Sequence, residues 1–119
     1  MGIRNHTDLI AWQKAMTLSE LTYQATEGMP REELFGLTSQ IRRAAASIPA
    51  NIAEGQGRRT DGEFLRFLSL AHGSLRELES HVVLAHRLHF LNSEHTTAVL
   101  KNCQEVGRLL NGLMNAIRH

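Results

Sequence analysis

Seven histidines, one cysteine and eleven arginines hold the chemistry available to this 119-residue chain. Three of the histidines, His81, His86 and His89, fall close together, and Glu77 stands one helical turn before His81. A two-histidine metal site on a helix needs its ligands four residues apart, on one face. His81 and His86 are five apart, about 140° around a helix, so they diverge. His86 and His89 could share an ion, but no second segment supplies a matching carboxylate pattern. The Glu-x-x-His motif of di-iron bundles is absent. The histidines are therefore expected at the surface or an interface, with no metal and no cofactor.

Two further catalytic patterns fare no better. A helical ribonuclease would use an Arg followed by four to six residues and a His, and Arg76–His81 and Arg66–His72 fit. Eleven Arg and seven His produce on the order of two such pairs by chance, so the spacing says nothing. Cys103 falls on an apolar heptad face and reads as a small buried hydrophobe, not a nucleophile. No catalytic residue emerges, and the chain is read as a non-enzyme.

The arginines are more suggestive. Formal net charge is only +1, yet six Arg and no Lys lie between Arg42 and Arg76, against Glu54, Asp61 and Glu63. That window is net +3, and the remainder, with seven basic and nine acidic residues, is −2. The Arg fork suits phosphate and carboxylate. Arg42, Arg43, Arg58, Arg59 and Arg66 are the candidate nucleic-acid-binding residues. The turn Gly55-Gln56-Gly57-Arg58-Arg59-Thr60 is not a P-loop, but it leads two Arg into a helix start, where free amides attract anions. A plain interhelical turn accounts for it equally well. Beside the Arg, Gln40, Arg43, Ser47, Asn51 and Glu54 form a polar stripe. It is expected to be a structural network in which Glu54 neutralises Arg43 or an Arg of a neighbouring subunit.

Four helical segments must position these groups. The first runs from about Asp8 to Thr26, with Leu9, Trp12, Met16 and Tyr23 as its expected buried face, and Gly28 to Pro30 stop it. The second starts near Leu37 and buries Leu37, Ile41, Ala45, Ile48 and Ile52. Pro49 inside it predicts a kink, and Gly55 and Gly57 end it. The third is capped by Thr60 with Glu63 and runs to near His89. Its heptad face is Phe64, Leu68, Ala71, Leu75, Leu78, Val82 and Ala85. The fourth follows Asn92-Ser93-Glu94, with Val99, Cys103, Val106, Leu110, Leu113 and Ile117 inward. The pattern predicts one all-α domain over 1–119, an up-down-up-down four-helix bundle. Outside the third helix's heptad face lie Leu65, Phe67, Leu70, Val83, Leu84 and Leu88, more apolar surface than one seam needs. Self-association is the expected outlet.

Composition bounds the rest. Hydrophobic residues are 42% and charged residues 21%, which suits a folded domain and argues against wholesale disorder. A single cysteine excludes an internal disulfide and suits a reducing compartment. No apolar run approaches the ~18 residues of a membrane span, and the first residues lack a signal-peptide core. A cytoplasmic protein off the membrane is expected.

Two blocks carry a resemblance: Leu37-Thr38-Ser39-Gln40-Ile41-Arg42-Arg43, and Ser47-Ile48-Pro49-Ala50-Asn51-Ile52-Ala53-Glu54-Gly55. Asp8 to Ala15, Glu63 to Leu68 and Gly73 to Glu79 extend it. These segments resemble the four-helix-bundle proteins encoded in intervening sequences of bacterial 23S rRNA genes. That family includes the accessory variability determinant of diversity-generating retroelements, a pentameric barrel that binds nucleic acid and a reverse transcriptase. The resemblance implies a homo-oligomer, a pentamer, with an RNA or DNA partner and no catalytic residues. The expected function is a non-enzymatic adaptor binding RNA or DNA electrostatically. The alternative is a module that docks a protein, such as a reverse transcriptase, without nucleic acid. This chain departs in being nearly neutral, where nucleic-acid binders are usually basic.

Overall fold

The computed structural model describes residues 5–118; residues 1–4 and 119 of the expected domain lie outside them. A 3-10 turn at His6–Asp8 leads into α1 (Ile10–Ala25), and a second at Arg31–Glu33 precedes α2 (Leu37–Gln56). Then come α3 (Asp61–Arg87) and α4 (Ser93–Arg118). There is no strand among the described residues. Each helix packs on its chain neighbours and α1 closes against α4, giving the expected bundle, 44 × 23 × 19 Å.

Local chemistry sets the helix ends. Thr60 Oγ1 accepts the Glu63 amide at 3.1 Å, the N-cap expected from sequence. Asn92 Oδ1 does the same for His95 at 2.7 Å at the start of α4. At the end of α3, His89 takes a left-handed φ of 65°. The Phe90 amide then reaches back to Ala85 O and the His89 amide to His86 O. This is a Schellman closure with histidine where glycine is usual. The Glu33 carboxylate accepts the Leu37 amide at the start of α2.

The core is read correctly on α2 and α3 and in part on α4, where Leu113 and Ile117 are only half-buried. All seven heptad residues of α3 are buried, as are all five of α2. On α4, Val99, Cys103, Val106 and Leu110 are buried, but Met114 replaces Leu113 in the last turns. α1 overturns most of the expectation: of Leu9, Trp12, Met16 and Tyr23 only Leu9, at the N-cap, is buried. Its buried face is Ala11, Ala15, Leu18, Thr22 and Ala25, while Trp12 is half-buried and Met16 and Tyr23 are exposed. Small side chains win this face because they let α1 approach α2 closely.

That approach solves the problem of Pro49, which is buried within an α2 that runs unbroken through it. Proline has no N–H for the carbonyl four residues back. That carbonyl is Ala45 O, and Ser19 Oγ on α1 donates to it at 2.9 Å. On the other flank, Gly55 admits α3: a Cβ there would stand 2.7 Å from Phe67 Cβ. The α2–α3 seam is the most extensive in the molecule.

Candidate nucleic-acid interface

The five candidate arginines do not form one patch. Arg42 points toward α1 near the bundle end that carries the α1–α2 connection. Its Nε donates to Thr26 Oγ1 at 2.9 Å and its Nη2 to Tyr23 O at 3.3 Å, and its guanidinium lies 4.8 Å from the Tyr23 ring centroid. It is half-buried and held. Arg43 is exposed on the outer side of α2, beside a depression of about 510 Å³ shared with Gln40, Ser47 and Glu77.

Arg58 and Arg66 do converge, at the opposite end of the bundle, and Arg59 follows Arg58 in the same turn. All three are exposed. The short α2–α3 turn places Arg58 and Arg59 beside the first turns of α3. The guanidinium carbons of Arg58 and Arg66 stand 4.7 and 5.4 Å from the centroid of the same ring, Phe67. Arg58 also donates to Glu54 Oε1 at 2.7 Å, one turn back on α2. Both partners are exposed, so this ion pair adds little to stability. The contacts with Phe67 hold both side chains over the ring while both residues remain exposed.

The polar stripe occupies one side of α2, and the bonds found for Ser47 and Asn51 run to backbone carbonyls of the same helix. Ser47 Oγ donates to Ala44 O and Asn51 Nδ2 to Ser47 O. Glu54 pairs with Arg58, not with Arg43. The sequence expectation is Arg43 or an Arg of a neighbouring subunit, but Arg43 lies eleven residues from Glu54, about 16 Å along the helix, too far for an ion pair. The i,i+4 register with Arg58 is the pair that helix geometry brings into contact.

The other candidate chemistry separates further. A groove of about 300 Å³ between α3 and α4 is lined by His72, Arg76, Glu79, Cys103 and Arg108. Burial and the nearby Glu79 carboxylate push the Cys103 thiol up to about 12, so no thiolate forms near neutral pH. His86 shares a 3.2 Å hydrogen bond with Ser93 Oγ. Among the described residues no three His, Cys, Asp or Glu side chains are grouped to hold a metal ion. No described helix is long and apolar enough to cross a membrane.

The apolar excess of α3 is resolved residue by residue. Leu65 and Phe67 are half-buried, whereas Leu70, Val83, Leu84 and Leu88 are exposed. Sequence reading missed the largest exposure of all, Phe35 at 94%, in the turn before α2.

A bundle with this helix order and these site blocks has a clear family. Over residues 7–112 the chain matches the 23S rRNA-intervening sequence proteins, and it belongs to that family. In fold it is similar to a crystal structure of a protein of unknown function from the S23 ribosomal protein family of Bacteroides thetaiotaomicron VPI-5482. The TM-score is 0.83 at 22% identity, over 91% of this chain and 97% of that one. Comparison with curated proteins gave no match.

Proposed function

We propose that the chain is a cytoplasmic, non-enzymatic adaptor that assembles into a homopentamer and holds RNA or DNA through phosphate contacts. The observation that carries the reading is the pair of guanidiniums, Arg58 and Arg66, stacked on Phe67 with exposed Arg59 beside them. Such forks meet phosphate oxygens without reading bases. A ring repeats the cluster once per subunit, so a strand meets several copies. Arg42, tied to Thr26 and Tyr23, contributes least; Arg43 contributes on a separate face.

Titration of labelled single-stranded RNA and DNA at two salt concentrations tests this. Binding falls steeply with salt and alike across unrelated sequences. Arg58→Ala with Arg59→Ala flattens the log–log salt slope by roughly 0.7 per lost phosphate contact. No binding by the unmutated protein in ~50 mM salt, where phosphate contacts are strongest, removes the proposal. That outcome favours the second reading, a protein-docking module, which the exposed Leu70, Leu84 and Leu88 on α3 support.

A further inference from the structure

The bundle end that carries the α1–α2 connection holds two features with no match within the chain. The first is Phe35, whose side chain is almost wholly in solvent although it sits in a tight turn between Glu33 and α2. An isolated exposed leucine is ordinary, but a fully exposed phenylalanine gives up the largest burial term available to that turn.

The second is a cavity of about 310 Å³ between the end of α1 and the start of α2. Met29, Pro30 and Leu34 give it an apolar wall, and the charged side chains Glu27, Arg31 and Arg42 also line it. Thr38 lines it too, is only 3% exposed, and has a hydroxyl with no hydrogen-bond partner. Buried hydroxyls are almost always paired. The cavity thus combines an apolar wall, an unmet polar atom and charged side chains of both signs. It is also roomy enough, since about 150 Å³ suffices for a benzene ring.

We infer that Phe35 of one copy of this chain seats in this cavity of a second copy. The ring packs on Met29, Pro30 and Leu34 with a guanidinium against its face. Arginine on an aromatic ring is how this chain already uses Arg42, Arg58 and Arg66. Because ring and cavity are different surfaces at the same bundle end, the contact can repeat head-to-tail from copy to copy, and it makes a closed ring where the rotation between copies closes. This rests on the self-assembly in the proposed function and names the contact that would drive it.

Three measurements test it. Phe35→Ala, with helicity unchanged by circular dichroism, drops the mass in light scattering from the assembled value to one chain. Retention of the assembled mass overturns the inference. Phe35→Trp adds a second indole to a chain that has only Trp12. Its emission is blue-shifted in the assembly and moves red on dilution as the mass falls; solvent-like emission from the assembled protein overturns the inference. Leu34→Lys spoils the cavity and leaves Phe35 in place, so it too is a single chain. Mixed with Phe35→Ala, it forms a two-chain species, because one intact ring meets one intact cavity; no such species overturns the inference. A small molecule as the cavity's occupant would show as assembled mass retained in Phe35→Ala. A wild-type mass of one chain at micromolar concentration removes this contact and the assembly together. Assembly without nucleic-acid binding removes the adaptor reading alone.

Discussion

Replacing Ser19 with Ala should cost far more than a half-buried serine suggests. Ser19 Oγ lies 2.9 Å from Ala45 O and 3.0 Å from Ala15 O. Ala15 O sits inside α1 and keeps its own backbone donor, so losing the hydroxyl there changes little. Ala45 O has no such reserve, because its helical donor would be residue 49, a proline. Ala45 is fully buried, so Ser19→Ala strands a carbonyl away from water. The expected loss is about 1–3 kcal/mol. For a domain of this size that is a fall in Tm of roughly 3–15 °C. Pro49→Ala restores an N–H at position 49. In that background Ser19→Ala should cost no more than about 0.5 kcal/mol, a coupling near or above 1 kcal/mol in a double-mutant cycle. Urea unfolding followed by circular dichroism, at one fixed protein concentration and with equal m-values, measures all four corners. Equal costs of Ser19→Ala with and without Pro49 would refute the reasoning.

Other substitutions probe the seams and the buried thiol. Gly55→Ala brings a Cβ to 2.7 Å from Phe67 Cβ and 3.3 Å from Phe64 O, so α2 and α3 must part, at a cost of about 1–3 kcal/mol in urea unfolding. Gly73→Ala meets nothing within 4 Å and should instead gain about 0.5–1 kcal/mol, helical glycine being the poorer residue. The Cys103 thiol, raised to about 12 in the fold, ionises near its ordinary pKa of ~8.5 when unfolded. Its contribution is whole below that lower value and is lost as pH rises toward 12, by at most ~1.4 kcal/mol per pH unit. Stability measured from pH 8 to 11 should therefore fall less steeply in Cys103→Ala than in the unmutated protein, and parallel curves would refute the assignment.

What could be read from the sequence follows from how many patterns each segment offers. α3 carries one unambiguous stripe, and all seven residues from Phe64 to Ala85 are buried. α1 carries two. Trp12, Met16 and Tyr23 hold the larger side chains, but Ala11, Ala15, Leu18, Thr22 and Ala25 repeat as regularly and permit the close approach that Ser19 needs. Hydrophobicity favours the first stripe and packing distance the second, and distance is a property of two helices. On α4 the change from Leu113 to Met114 reflects the drift of about 20° per heptad between a 3.5 and a 3.6 repeat. The arginine window was visible as composition. Its division between Arg42 against α1, Arg43 on the outer side of α2 and Arg58 with Arg66 on Phe67 depends on which helix faces which. Phe35 stood in a connection, where no periodicity announces whether a ring is covered.

The extent of the α2–α3 seam sets an order of events as the chain folds. The two helices are joined by four residues, 57–60, so little chain entropy is lost in bringing them together. The Gly55 contact and the faces of Ile48, Ile52, Phe64 and Leu68 can therefore form while the rest is still unstructured. The α1–α4 seam joins opposite ends of the sequence and must close last. Nucleus substitutions such as Ile52→Ala thus slow folding, whereas α1 substitutions chiefly hasten unfolding. Ser19 reaches Ala45 O only when α1 docks on α2, so the carbonyl that Pro49 leaves without an amide is sealed by that docking and not by the α2–α3 hairpin itself.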